Sequence, residues 1–267
     1  MPHTRPVKPE LRLQIDGDGI ATITIDNPAR MNALNAAMWG ALPGLMAQAA
    51  ADPAVRVIIL TGAGTRAFSA GADISEFDTQ RSGDAVHTYD RLNHAAFDAL
   101  TTCAKPTIAM IHGFCLGGGL GLALACDLRI ADTAAQFAIP AAKLGIGYNP
   151  RWIVPVLRAV SPPTAKLILF TGRRFTAHEA VAMGLVSEIT SPETLAIATR
   201  ALAVEIAVNA PLSVAAAKAM IDELSQRPDT PDLARLDSHV MACFDSEDYA
   251  EGRRAFLEKR KPGFKGR

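Results

Sequence analysis

The chain has no surplus of charge of either sign. Its 27 Lys and Arg balance 27 Asp and Glu, which removes the basic footprint of a nucleic-acid binder and favours a small-molecule partner. Cysteine is scarce: Cys103, Cys115, Cys126 and Cys243 show no short paired spacing, so no disulfide frame is indicated and a reducing cytoplasm is the expected location. The six histidines include no pair four apart with a Glu between them, so no metal is expected. The first residues lack the apolar core of a signal peptide and read as a loose tail. Thr107 to Cys126 has no Lys, Arg, Asp or Glu over 20 residues, enough on length for a membrane span. Five glycines and His112 interrupt it, so it reads as a buried strand, a tight turn and a buried helix, with no membrane partner.

What is present is a large apolar fraction. At 49% hydrophobic over 267 residues, the chain can bury one big domain, or a main domain with a smaller attachment. Leu11–Ile15 and Ile20–Ile25 alternate across Asp16-Gly-Asp-Gly19, a hairpin signal. Asn27-Pro28 and Asn32 mark a turn and the start of a helix to about Ala51, with a kink or break expected at Gly40, Pro43 and Gly44. Val55–Leu60, Thr107–Ile111 and the weaker Leu128–Ala131 read as strands alternating with helices, which suits right-handed βαβ units. Gln80 to Thr102, polar and then helical in period, is placed to cover a pocket. Beyond Leu144 the pattern is helical almost throughout, and the last 60 residues read as an all-α appendage.

Two glycine-rich segments follow apolar runs: Ala67-Phe-Ser-Ala-Gly-Ala-Asp73 and Leu116-Gly-Gly-Gly-Leu-Gly121. Gly loses the most backbone freedom on ordering, so such clusters need a geometric reason. Close strand–helix packing is one reason. The other is an oxyanion corner, because the first N–H groups of a helix and its dipole favour negative charge. Other motifs carry less. Gly62-Ala-Gly-Thr-Arg-Ala67 matches a dinucleotide pattern but lacks a clear following helix, and Ser69 sits in a near miss of a hydrolase nucleophile elbow. His112, just before Gly113, reads as a core histidine satisfied by backbone.

Taken together, Phe68-Ser-Ala-Gly-Ala-Asp-Ile74, His112-Gly-Phe-Cys-Leu-Gly-Gly-Gly119, Cys126-Asp-Leu-Arg-Ile-Ala131, Gln136-Phe137, Gly184-Leu-Val186 and Ala255-Phe-Leu-Glu-Lys-Arg-Lys261 resemble the crotonase superfamily, the enoyl-CoA hydratase/isomerase family. The likeness spans nearly the whole chain. It implies an α/β fold, a crotonase-like spiral of ββα repeats over residues 1–200, followed by a C-terminal all-α trimerisation region over 201–267. The implied assembly is a homotrimer, or a hexamer made of two trimers. The implied partner is an acyl-CoA thioester, with coenzyme A part of the substrate and no separate cofactor. By position, the resemblance gives Ala72 N–H and Gly118 N–H to the thioester oxygen. Ala70, Asp73, Ile74, Ser75, Gly117 and Ala141 line the substrate, Arg30 lies near the CoA phosphates, and Phe256 and Lys259 reach a neighbouring subunit's ligand.

The chain departs from the family at both usual glutamates, which are replaced by Gly121 and Ala141. Each missing acid or base costs roughly 3 to 5 kcal/mol of barrier for hydration. Hydration or double-bond isomerisation then needs another carboxylate, from Asp73, Glu76, Asp78 or Asp84, although Asp73 also reads as a brace for its turn. Decarboxylation of a malonyl- or methylmalonyl-type ester needs only the oxyanion site and a weak acid, for which Tyr148 is the candidate, its other reading being an aromatic packed on the pocket wall. A non-catalytic acyl-CoA-binding subunit is the third reading.

Overall fold

The computed structural model describes residues 9–76 and 85–267. Strands β1 (Glu10–Ile15) and β2 (Ile20–Asp26) form the expected antiparallel hairpin, with Leu13 opposite Ile23. Its turn is closed by the Asp16 carboxylate, which accepts from Asp18 N at 2.9 Å and Ile20 N at 3.1 Å. Helix α1 (Ala36–Ala51) starts at Asn35, whose side chain accepts from Met38 N, and not at Asn32. It also runs unbroken through Pro43. That corrects the expected break: burial of Met38, Trp39, Leu42, Met46 and Ala49 on one face outweighs the roughly 3 kcal/mol helix penalty of proline.

Thereafter strands come in pairs. β3 (Val57–Gly62) is followed by β4 (Ala67–Ser69) and helix α2 (Ala85–Thr101). β5 (Thr107–Ile111) is followed by β6 (Phe114–Leu116) and helix α3 (Gly118–Ala125). β7 (Leu128–Asp132) and β8 (Gln136–Ala138) complete the third turn, ahead of a 3-10 segment at Pro140–Leu144 and helices α4 (Pro150–Ala159) and α5 (Pro162–Thr171). The first strand of each pair enters a six-stranded sheet and the second a four-stranded one, so the chain winds as a ββα spiral. The simple βαβ reading missed the second strands.

The half beyond Leu144 is not wholly helical. β9 (Phe175–Thr176) joins the small sheet antiparallel to β8 and precedes helix α6 (Ala177–Met183). β10 (Glu188–Thr190) extends the large sheet parallel to β7, giving the order β1-β2-β3-β5-β7-β10. β3 is buried along its whole length, as a strand covered on both faces must be. Helix α7 (Leu195–Ala207) covers one face, burying Leu195 and Ala203 against Val57, Ile108 and Ile130. The other face packs on α1 and the small sheet. No single described helix is long and apolar enough to cross a membrane.

Helices α8 (Pro211–Gln226), α9 (Leu233–Phe244) and α10 (Glu247–Leu257) follow. Glu223 on α8 bonds Arg235 of α9 at 2.6 Å, and Asp248 on α10 accepts from Lys265 N and Gly266 N of the returning tail at 2.6 and 2.7 Å. One part-buried ion pair fixes α8 to the core. Lys218 Nζ lies 2.7 Å from Asp127 Oδ2, which also accepts from Thr107 N at 2.7 Å and Thr107 Oγ1 at 2.9 Å.

Removing the Asp127 carboxylate leaves the largely buried Lys218 ammonium only the Lys105 carbonyl at 3.2 Å and takes the acceptor from Thr107 N. Asp127→Ala is expected to lower stability by about 1–3 kcal/mol, and Lys218→Met by less, because Asp127 then keeps its Thr107 bonds. Urea unfolding midpoints of the two variants measure this, and unchanged midpoints would refute the latch.

Candidate active site

The first glycine turn is held by side chains from the preceding loop. Asn32, buried in the left-handed region at φ 55°, donates from Nδ2 to Ala67 O at 2.6 Å and Ala63 O at 2.9 Å. Ser69 Oγ donates to Asn32 O at 2.8 Å and accepts from Gly71 N at 3.0 Å. Ser69 is thus fully engaged as a brace, which disposes of the nucleophile-elbow pattern. The dinucleotide pattern fails as well, because Ala67 opens β4 and not a helix.

The turn's other amides are spoken for. Ala70 N donates to Met31 O at 2.9 Å and Asp73 N to Leu34 O at 2.9 Å. Ala72 N has no acceptor among the described residues. In the second turn Gly117, at φ 53°, donates to Ala138 O at 2.8 Å and its carbonyl accepts from Gly121 N. Gly118 opens α3, and as a first-turn amide its N–H has no intrahelical partner and no other acceptor among the described residues.

The two turns touch through backbone. A Cβ on Gly71, whose φ is +92°, would lie 2.8 Å from both Gly118 N and Leu116 O, and one on Gly119 would lie 2.5 Å from Ser69 O. A Cβ on Gly118 would sit 3.7 Å from Ala72 N and 3.2 Å from the Trp39 ring. The packing reason therefore holds for Gly71 and Gly119, which permit the approach of the two turns.

Both free amides belong to residues lining one cavity of about 100 Å³. Ala70, Ile74 and Gly117 line it from the turns, and Ala141 with Pro140 from the 3-10 segment. Tyr148 and Trp152 close it from the loop and start of α4, and Asn93 and Phe97 from α2. Asn93, Phe97 and Trp152 were not singled out from sequence. The helical period before Thr102 did mark α2 as a cover, and Asn93 and Phe97 sit four apart on one of its faces. The Trp39, Phe97 and Trp152 rings follow one another at centroid distances of 6.0 and 6.1 Å, and Tyr148 meets Trp152 edge-on at 5.5 Å. The Tyr148 hydroxyl is buried with no partner among the described residues, and burial pushes its pKa well above the ordinary phenol value.

The place beside Gly121 is taken. A Cβ there would lie 2.7 Å from Phe97 Cζ and 3.6 Å from Tyr148 Oη. The described lining carries no carboxylate. Asp73 braces its turn, as its sequence reading expects: Oδ1 accepts from Ser75 N at 3.0 Å, Ser75 Oγ at 2.7 Å and Arg30 at 3.2 Å. Arg30 is thereby placed over the same turn with its side chain 56% exposed. Glu76 is committed elsewhere, accepting from Ala36 N at 2.8 Å at the start of α1. Asp78 and Asp84 lie outside the described residues.

Of the sequence candidates, Arg30, Asp73 and Ser75 bond one another on the adjoining turn outside the described lining, and Phe256 and Lys259 stand apart from it within one chain. Phe256, 83% exposed, borders a separate apolar groove with Phe244, Tyr249 and Phe264, and Lys259 follows it beyond the end of α10. His112 is buried outside the cavity lining, with Nε2 unpartnered among the described residues, and burial lowers its pKa. Its ring hydrogen-bonds the Ala67 backbone, as expected of a core histidine, and its own carbonyl accepts from Phe68 N at 2.7 Å.

A family model described as enoyl-CoA hydratase/isomerase matches residues 16–267. The chain is 35% identical over 249 residues to a short-chain-enoyl-CoA hydratase of Clostridium acetobutylicum, covering 93% of this chain and 95% of that protein. It is 36% identical to a carnitinyl-CoA dehydratase of Salmonella arizonae, over 96% and 98% of the two chains. Its fold superposes with a TM-score of 0.92 on the crystal structure of an enoyl-CoA hydratase/carnithine racemase from Magnetospirillum magneticum, at 39% identity and 96% coverage of both.

The unequal crowding of the glycines is open to measurement. Gly119→Ala drives a methyl into a backbone carbonyl and is expected to cost about 2–3 kcal/mol, whereas Gly118→Ala meets only the Trp39 ring edge and costs about 1 kcal/mol or less. Urea titrations decide it. Equal losses would mean that the turns do not pack as described.

Proposed function

The chain belongs to the enoyl-CoA hydratase/isomerase family, and on that premise we propose that it is an acyl-CoA enzyme that receives the thioester oxygen between Ala72 N–H and Gly118 N–H. The observation that carries this is the pair of unengaged amides, on separate turns that touch, opening on one apolar cavity. As an enolate forms, negative charge grows on that oxygen, and fixed donors in a dry site stabilise it without having to reorient. α3 adds the positive end of its dipole. In this reading Asp73 and Ser75 flank the cavity-lining Ile74 along the bound coenzyme A, and Arg30, held by Asp73, supplies a cation for its anionic part.

Loss of CO2 from a malonyl-type ester is the second reading, favoured by Phe97 standing where a side chain at position 121 would go and by the methyl of Ala141 at the other usual glutamate position. The electron pair of the breaking carbon–carbon bond moves into the enolate, CO2 leaves, and the α-carbon then takes a proton. In this reading Tyr148, kept neutral by burial, gives it. Assembly as a cytoplasmic homotrimer or hexamer is the accompanying proposal. The exposure of Phe256 and Leu257 supports it, since such side chains gain from cover by a neighbouring subunit.

Mass spectrometry of crotonyl-, malonyl- and methylmalonyl-CoA incubated with the protein distinguishes hydration, decarboxylation and binding without turnover. Whichever ester is turned over, Gly118→Pro is expected to lose about 10²–10³ of the rate relative to Gly118→Ala, because proline is tolerated at a helix start but has no N–H. Turnover that survives in Gly118→Pro would refute the oxyanion site.

A second pair of variants tests the space beside Gly121. Gly121→Glu alone collides with Phe97 and is expected to add no hydration of crotonyl-CoA, while Phe97→Ala/Gly121→Glu gains about tenfold or more over the parent. Spectrophotometric loss of the conjugated thioester reports it, and a gain in the single variant would contradict the geometry.

A further inference from the structure

A second cavity, of about 270 Å³, lies at the starting ends of β3 and β5 and shares no described lining residue with the first. Arg56 stands just before β3 and Lys105 just before β5, while Ile206 and Leu212 come from the close of α7 and the start of α8. Lys265, an exposed residue of the returning tail, completes the cationic part of the lining. Apart from Asn209, the rest of the described lining is aliphatic or glycine, with neither a carboxylate nor an aromatic ring. The volume approaches the roughly 300 Å³ at which small-molecule pockets begin.

Three cations therefore share one apolar space without a counter-charge in its wall. None of Arg56, Lys105 and Lys265 forms an ion pair with a carboxylate among the described residues. Arg56 is half-buried, and its guanidinium lies against the tail: Nη2 donates to Phe264 O at 3.4 Å, and Nη1 is 2.9 Å from where a Cβ on Gly266 would stand. Lys105 Nζ donates to Ala49 O at 3.0 Å and to Asp52 O. These carbonyls meet hydrogen-bonding needs but cancel no charge. Burial lowers the Lys105 pKa, the positive charge of Arg56 lowers it further, and the Asp52 carboxylate opposes both from outside the lining, its Oδ1 bonded to Ala54 N at 2.8 Å. Two half-buried cations that repel each other gain from an anion close to both.

The walls set the other half of the specification. A bare inorganic anion would leave the aliphatic lining wet, and an uncharged aliphatic molecule would leave the cations unanswered. A compact anionic head on an aliphatic chain meets both demands.

We propose that this cavity binds a short aliphatic chain ending in a carboxylate or phosphate, its head at Arg56 and Lys105 and its chain against Val55, Pro106, Ile206 and Leu212. The proposal rests on neither the thioester reading of the first cavity nor the bond broken there.

Isothermal titration of the full-length protein with hexanoate, hexyl phosphate, 1-hexanol and inorganic phosphate tests it. At least one of the two anionic chains is expected to bind about tenfold or more tighter than both hexanol and inorganic phosphate, and the tighter of the two identifies the head group. Arg56→Gln and Lys105→Gln each keep a hydrogen-bond donor and remove a charge. Each is expected to weaken that ligand about fivefold or more while leaving hexanol within about twofold. Ala141→Trp, which fills the first cavity, is expected to leave it within about twofold. If one glutamine variant fails to fold, the other carries the test. Failure of both anionic chains to outbind hexanol and inorganic phosphate, or binding that the glutamine variants keep or that Ala141→Trp abolishes, would overturn the site.

Discussion

Everything in the candidate site depends on two main-chain turns meeting without side chains between them. Gly71 and Gly119 make that contact possible, since a Cβ at either would fall within 2.8 Å of the opposite turn's backbone. At this separation the amides of Ala72 and Gly118 open on the same small space, and the remaining amides of the first turn are engaged by Met31, Leu34 and Ser69. The unengaged polar groups of the two turns are therefore backbone groups. Side chains act by holding the turns still, Asn32 and Ser69 from below and Trp39 from beside Gly118.

The short helix that supplies one of those amides is secured at its far end. Arg129 donates from its guanidinium to Cys126 O at 2.8 Å and Leu185 O at 2.7 Å, with a longer bond to Ala123 O. A cation at the carbonyl end complements the negative pole of α3, so the same dipole that favours an oxyanion at Gly118 is balanced at Cys126. Burial lowers the Arg129 pKa from its very high ordinary value, and the carbonyl ligands compensate the desolvated charge. Its neighbour Asp127 ties Thr107 to Lys218. The Cys126-Asp-Leu-Arg129 motif is thus a clamp on the helix and on α8, and it touches no part of the cavity lining.

Legibility from sequence followed the length scale of each feature. β1, β2, β3, β5 and β7 are long enough to alternate or to run continuously apolar, and their pairing follows from that. β4, β6 and β8 have three residues each, too few for a period, and they emerge only because parallel partners are already in register. Pro43 misled in the opposite direction, since a local breaker lost to the packing of Trp39 and Leu42. The two turns were readable because glycine spacing reports backbone geometry directly, and Ala72 and Gly118 were picked out within them by position from the resemblance. Asn93, Phe97 and Trp152 were not, because which face of a helix meets a cavity is decided by tertiary docking.

The aromatic wall bears on position 121, where the family resemblance implies a glutamate and the chain has glycine. From sequence it is a deletion: a carboxyl group is gone and glycine remains. In three dimensions the volume has been reassigned, because the Phe97 ring stands 2.7 Å from where that side chain would begin and is itself packed against Trp39 and Trp152. A carboxylate at 121 requires that ring to shift, and beside the remaining aromatic faces it would be desolvated, which favours its neutral form. Gly121 and Phe97 are therefore one choice made at two positions. Together they set an aromatic ring, and no carboxylate, in the lining beside the turn that carries Gly118.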